Sequence, residues 1–247
     1  MRFKSISIVI CAAFIAPAAQ AQWTGKAELG FLMSSGNSEA TSANTKFDLK
    51  RESPKWINTF FVGAVYGENG SFANAERYES SYQLDYKIND RLSWFGALRG
   101  EKDKFSGFVY QATVSTGAAY KFIDNPDTKL NFSLGAGYRR LQNEILIKTD
   151  AGEVIDRIEG EEESDPVATF ASAYEHNFTE NTKISNKFLA ESGSENTALQ
   201  NDLALQVSMT KTLALAVGYA IRYNTDPPPL SETTDTLTTV NLVYNIQ

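Results

Sequence analysis

The sequence contains very little cysteine and histidine, since Cys11 and His176 are the only residues of these types among 247. Cys11 lies in an N-terminal segment that we expect to be removed, so the remaining chain would carry no thiol. Disulfide bridges and thiolate chemistry are therefore excluded. A transition-metal site is not expected from a single histidine.

Long apolar runs and excess positive charge are also missing. Beyond the first 21 residues no apolar run approaches the roughly 20 residues that a transmembrane helix needs. This excludes a helical membrane protein but not a membrane β-barrel, whose alternating strands average to a polar composition. The net charge of −7 argues against nucleic acid as a partner.

The N-terminal segment has the pattern of a secretory signal. Arg2 and Lys4 supply positive charge, residues 6–19 are mostly apolar, and Ala19-Gln20-Ala21 is a small-x-small cleavage pattern. We therefore expect a signal peptide over 1–21 and a single mature domain over 22–247.

Alternation of apolar and polar residues dominates the mature chain. In Leu213–Tyr223 every second residue from Leu213 is apolar, and Tyr78–Ile88 alternates in the same way. Such runs reach 11 to 13 residues, whereas soluble strands average about 5 to 6 and tilted membrane strands need about 9 to 11. The predicted strands are 23–34, 40–52, 55–67, 77–89, 91–103, 108–122, 129–141, 166–178, 182–192, 197–209, 212–224 and 234–246.

The predicted connections fall into two alternating sets. One set is short, as at Ser53-Pro54 and Asn89-Asp90, and the other includes all the long connections, such as 142–165. Membrane barrels have short periplasmic turns and longer outer loops in this order. The sequence therefore predicts an all-β protein, a single closed antiparallel up-and-down transmembrane β-barrel of about 12 strands.

Aromatic residues cluster near both predicted strand ends, as in the two girdles that border a bilayer. The predicted membrane-interface aromatics are Trp23, Trp56, Tyr86, Trp94, Tyr120, Phe122, Tyr138, Tyr219, Tyr223 and Tyr244.

The opposite strand face carries charges of both signs, which would line the lumen. They are Lys26, Glu28, Lys46, Asp48, Glu79, Asp85, Lys87, Arg99, Glu101, Arg139, Lys187, Glu191, Asp202 and Arg222. Two interpretations compete: the charges border a narrow water-filled pore, or they pair and fill the barrel. Because unpaired buried charge is costly, the mixed signs favour a closed or very narrow lumen.

The connection at 141–165 is strongly acidic, with nine acidic residues against Lys148 and Arg157. The Asp-x-Gly pattern of Asp150-Ala151-Gly152 predicts a turn, so we expect an outer hairpin with an acidic tip at Glu159–Asp165. Glu159, Glu161, Glu162, Glu163 and Asp165 could contact Ca²⁺ or Mg²⁺ ions. The simpler interpretation is a solvated acidic surface.

His176 is the one candidate for catalysis. A barrel lipid hydrolase would pair it with a serine on the outer wall, but position 178 is Phe, so no His-x-Ser pattern exists. We predict no catalytic residues and no cofactor.

Three segments carry a family resemblance: Trp23-Thr24-Gly25, Ser35-Gly36-Asn37-Ser38, and the closing strand from Thr236 to Tyr244. Over the mature chain, the sequence resembles a domain-of-unknown-function family described as salt-induced outer membrane proteins. The resemblance implies an outer membrane barrel with no catalytic residues to transfer.

The predicted function is a non-enzymatic outer membrane barrel that supports envelope integrity or slow solute passage under osmotic stress, the stress being implied by the resemblance alone. The alternatives are an open porin, a lipid-acting outer membrane enzyme and a soluble periplasmic β-protein. Expected partners are outer membrane lipid and lipopolysaccharide, the barrel-insertion machinery during biogenesis, and Ca or Mg ions at the outer loops.

Overall fold

The structure, a computed structural model, describes residues 22–34, 40–69, 72–104, 106–149, 154–228 and 231–246. The expected signal peptide over 1–21, the Ser35–Ser38 turn and the Asp150–Gly152 turn lie outside these residues.

Twelve antiparallel strands form one closed barrel in which each strand pairs with its neighbours in sequence and β1 pairs with β12. The predicted fold class is confirmed. The strands are β1 (Gln22–Ser34), β2 (Ala40–Glu52), β3 (Trp56–Asn69), β4 (Phe72–Lys87), β5 (Leu92–Asp103), β6 (Phe108–Asp124), β7 (Thr128–Lys148), β8 (Val154–Asn177), β9 (Thr182–Ser192), β10 (Thr197–Ser208), β11 (Leu213–Asn224) and β12 (Thr234–Ile246).

Five tight turns connect the strands at the barrel end that holds β1's first residue, called here the short-turn end. Each turn opens with a side-chain oxygen that accepts the backbone N–H three residues later, as Asn89 does from Leu92 and Thr210 from Leu213. Ser53, Asn125 and Thr179 make the same bond. Polar side chains of this kind close turns by local hydrogen bonding.

At the opposite end, called here the outer end, three strands extend well beyond their predicted bounds. β4 begins at Phe72, and β7 and β8 pair far beyond the barrel wall, with Glu144 opposite Glu159. The acidic tip predicted at Glu159–Asp165 is therefore wrong, because these residues form the returning strand of the hairpin. Pairing with β7 satisfies the backbone groups on one side of this segment, and the carboxylates stay solvated because most of their side chains are exposed.

The outer wall is apolar. Leu29, Phe31 and Leu134 are more than 60% exposed, and large apolar or aromatic side chains are exposed on ten of the twelve strands. Exposing so many apolar side chains to water is unfavourable, but the same surface matches the hydrocarbon core of a bilayer. Within the described residues, no helix is long and apolar enough to cross a membrane.

Candidate functional site: a polar belt across the lumen

Most of the predicted lumen charges face the interior and line one cavity of about 570 Å³, called here the vestibule. Lys87, Glu101 and Arg139 are the exceptions. Lys87 binds Glu52 and the Ser53 carbonyl at the short-turn end, and the other two lie nearer the outer end.

Ion pairs cross the lumen. Arg99 on β5 binds Glu191 on β9 at 3.1 Å, and Arg222 on β11 lies 3.8 Å from Glu79 on β4. Neither pair joins neighbouring strands, so each spans the barrel interior. Such contacts place charged side chains across the barrel interior between walls that are not adjacent.

Further polar side chains complete this layer. Glu101 accepts hydrogen bonds from Arg99 and from Gln200 on the far wall, the latter at 3.2 Å. Asp202 binds Arg222 at 3.1 Å. Glu191 is only 3% exposed. We call this layer the polar belt, and it consists of Glu79, Arg99, Glu101, Thr113, Glu191, Gln200, Asp202 and Arg222.

Above the belt, the described loop residues of the outer end gather around Arg139, which is 1% exposed. Its guanidinium donates to Asp165 at 3.4 Å and to the Asn196 carbonyl at 3.0 Å. Asn196 in turn donates to the Asp226 carbonyl at 3.1 Å. The β5–β6, β9–β10 and β11–β12 loops together with Arg139 are called here the outer cap.

Gly107 joins two of these loops. Its backbone has a φ of 81°, which side-chain-bearing residues rarely adopt. A Cβ at this position would lie 3.1 Å from the Pro228 ring and would also meet Ser231. The β5–β6 and β11–β12 loops, which come from opposite walls, therefore touch over the barrel mouth.

The β7–β8 hairpin leans onto the same cap. Arg157 donates to Glu144 at 2.7 Å and to the Lys104 carbonyl, and the Glu144 N–H donates to the Gly107 carbonyl at 2.7 Å. Hydrogen bonds from Arg140 and Tyr110 lower the pKa of the exposed Glu162 carboxyl.

The five acidic residues proposed for divalent cations do not come together. Asp165 pairs with Arg139, Glu162 pairs with Arg140, and Glu163 accepts from Asn143 at 2.6 Å. Glu159 and Glu161 are exposed on the hairpin. In the described part of the chain, no three acidic, histidine or cysteine side chains form a group that could hold a metal ion.

The vestibule occupies the half of the lumen nearer the short turns. Lys50, Asp85, Ser93, Asn131 and Ala173 line it, whereas Arg77, Asp103, Arg139 and Asp165 at the outer end do not. Its wall from β6 to β11 carries mainly small side chains, among them Ser115, Ala119, Ser133, Ala171, Ala173, Ser185, Ala204 and Ala216.

Sequence reasoning missed the apolar residues of the vestibule. Ile57, Phe61 and Phe95 face inward, while Phe60 and Val62 face outward. β3 alternates poorly because it carries apolar residues on both faces. Gln200 was also missed, although its position two residues before Asp202 places both side chains on one face.

All ten predicted interface aromatics lie on the outer wall and are more than a third exposed. The Trp56 and Tyr86 rings meet edge to face at 5.0 Å, and the Trp94 indole N–H donates to Thr116 at 2.9 Å. Arg51 lies over Trp23 at 5.4 Å.

His176 also lies on this wall, and its hydroxyl neighbour is a threonine. Nδ1 is 2.8 Å from the Thr128 oxygen on β7, and the ring stacks with Tyr174. No carboxylate hydrogen-bonds to the other ring nitrogen among the residues described. The arrangement therefore lacks the third group that orients a catalytic base.

The closed barrel, its apolar outer wall and its polar interior define a porin-like outer membrane β-barrel. The chain belongs to the family described as protein of unknown function, DUF481, which it matches over residues 27–246.

A relative and two solved structures are similar to the chain. The uncharacterized protein YdiY of Escherichia coli K12 is 23% identical over 232 residues, which cover 92% of this chain and 85% of YdiY. An outer membrane channel from Pseudomonas putida F1 is 7% identical with a TM-score of 0.49, covering 97% of this chain and 100% of the channel. The NanC porin is 13% identical with a TM-score of 0.44, covering 90% of this chain and 97% of the porin.

Proposed function

We propose that this protein is a non-enzymatic outer membrane barrel with an obstructed lumen, which supports envelope integrity and admits small solutes only slowly under osmotic stress. The stress condition comes from the family resemblance. The obstruction comes from the polar belt.

The observation that carries the proposal is the set of charge pairs that join opposite walls. Breaking a buried ion pair leaves an uncompensated charge and costs about 3–5 kcal/mol. Arg99 is held by both Glu101 and Glu191, and Arg222 by Asp202 and Glu79. Thermal opening of the belt should therefore be rare.

An outer membrane location is supported by the apolar outer wall and its exposed aromatics. We expect the segment 1–21 to direct export, the insertion machinery to assemble the barrel, and outer membrane lipid with lipopolysaccharide to surround it. Membrane fractionation with a heat-modifiability gel tests this. Recovery in the osmotic-shock fraction would instead support a soluble periplasmic protein.

The function is tested in cells that lack the protein and are complemented with the native chain or with Arg99→Ala/Arg222→Ala. After a salt upshift, the native chain should restore growth without increasing uptake of a small hydrophilic antibiotic. The double variant should increase that uptake. Equal uptake by the two strains would contradict the proposed role of the belt.

An open porin is the second candidate, and the 570 Å³ vestibule is the observation that favours it. A lipid-acting enzyme would require His176. Purified protein that hydrolyses phospholipid, and loses this activity in His176→Ala, would establish the enzyme and overturn the non-enzymatic proposal.

A further inference from the structure

The vestibule contains two carboxylate–phenyl pairs in equivalent register. Asp48 on β2 lies directly opposite Phe61 on β3, and Asp85 on β4 lies directly opposite Phe95 on β5. All four side chains line the cavity.

The first pair holds an ammonium group of the chain itself. Lys187 reaches across the barrel, its Nζ lies 2.8 Å from Asp48 Oδ1, and it stands 5.9 Å from the Phe61 ring centre. A carboxylate and an aromatic face are the two partners that favour an organic cation.

The second pair, Asp85 and Phe95, holds no ammonium group among the described residues. Asp85 is 5% exposed and accepts hydrogen bonds from Gln83 at 3.1 Å and from Ser93 at 3.4 Å. No lysine or arginine nitrogen lies within 4.0 Å of it among the described residues. The charge of Lys50 attracts the Asp85 carboxylate from a greater distance, but Lys50 itself binds Glu52 at 3.1 Å.

A buried carboxylate with no cation in contact gains when a ligand brings an opposite charge to it. Gln83 and Ser93 occupy part of the acceptor capacity of Asp85, and a carboxylate offers about four lone-pair positions. Ile57 and Phe95 provide apolar surface beside it. A polar anchor with apolar neighbours in a cavity of several hundred Å³ is the usual composition of a small-molecule site.

We propose that Asp85, Gln83, Ser93 and Phe95 form a binding site for a small primary ammonium compound with a short apolar chain. Its ammonium group binds Asp85 as Lys187 binds Asp48. The ligand enters from the short-turn end. The site does not depend on whether the lumen conducts.

The test uses the full barrel in nonionic detergent and three probes of similar size: n-propylammonium, n-propanol and propionate. Ligand-observed saturation-transfer NMR should show saturable binding of n-propylammonium only. Asp85→Asn should weaken this binding about tenfold or more, because a charge-assisted hydrogen bond contributes about 1.5–3 kcal/mol.

Asp127→Asn is the matched control, since it removes one carboxylate at the same barrel end but outside the vestibule. It should bind the probe as the native protein does, and Asp85→Glu should retain part of the affinity. A heat-modifiability gel checks that each variant is folded. The proposal is overturned if the native protein shows no saturable n-propylammonium binding, if Asp85→Asn binds equally well, or if n-propanol binds as tightly.

Discussion

The two halves of the lumen are built from the same alternating strands but differ in contents. In the outer half, long charged side chains and three loops meet over Arg139. In the short-turn half, the wall from β6 to β11 carries mainly alanine, serine and glycine, and a cavity remains. The volume and pairing of the inward residues, more than the number of strands, therefore decide whether a barrel of this size is open.

Replacing Arg99 should have the largest effect on the difference between the two halves of the lumen. Arg99→Ala leaves Glu101 and Glu191 without their shared cation, so the free energy of unfolding should fall by about 3–5 kcal/mol. Arg140→Ala is the control, since this exposed guanidinium pairs with Glu162 outside the barrel and its loss should have little effect on stability. Denaturant unfolding in detergent measures both. Equal losses would show that the belt contributes no more than a surface pair.

Single cysteines can compare the two halves directly, because Cys11 lies in the expected signal segment. Ser133→Cys in the vestibule should react with a charged thiol reagent at least about a hundredfold faster than Val167→Cys, which is buried in the outer half and reacts only after local opening. Rates are measured on the folded barrel. Similar rates would mean that the outer half is not closed.

The cap can be weakened at one glycine. Gly107→Ala places a Cβ against Pro228 and Ser231 at a φ of 81°, so we expect a loss of about 1–2 kcal/mol in the free energy of unfolding. Gly96→Ala on the outer wall meets nothing within 4 Å and should change stability by less than about 0.5 kcal/mol. A Gly107→Ala variant as stable as the Gly96→Ala variant would argue against contact between the loops.

The smallest expected effect lies at the short-turn end and depends on pH. Partial burial raises the pKa of the Glu52 carboxyl, but hydrogen bonds from Lys87 and Lys50 outweigh it and lower the pKa from 4.5 to about 2. The stabilisation is therefore complete above pH 4.5 and is lost as the pH falls towards 2. Glu52→Gln should flatten this part of the stability profile. An unchanged profile would exclude Glu52 as its source.

The strands could be predicted because alternation and turn residues are local signals. β2, β9 and β12 have the predicted bounds, and each short turn carries its own hydrogen-bonding side chain. An outer hairpin was expected, but the predicted bounds of β7 and β8 stop short of it. Two strands that leave the membrane need no apolar face, so the alternation of apolar and polar residues weakens there.

The lumen could be predicted only in part. The alternation of inward and outward residues along each strand identified Arg99, Glu191 and Arg222 as inward residues. The pairs they form, however, depend on which strands face each other after the barrel closes. That arrangement follows from strand stagger and tilt, which no local pattern encodes. Phe61 and Phe95 were missed because an inward aromatic residue resembles an irregularity in the alternation.

Single-channel recording in a planar lipid bilayer tests the obstructed lumen most directly. The native barrel should insert without steady nanosiemens-scale conductance steps, and Arg99→Ala/Arg222→Ala should produce them. Steady steps of that size from the native protein would contradict the obstructed lumen and establish an open porin.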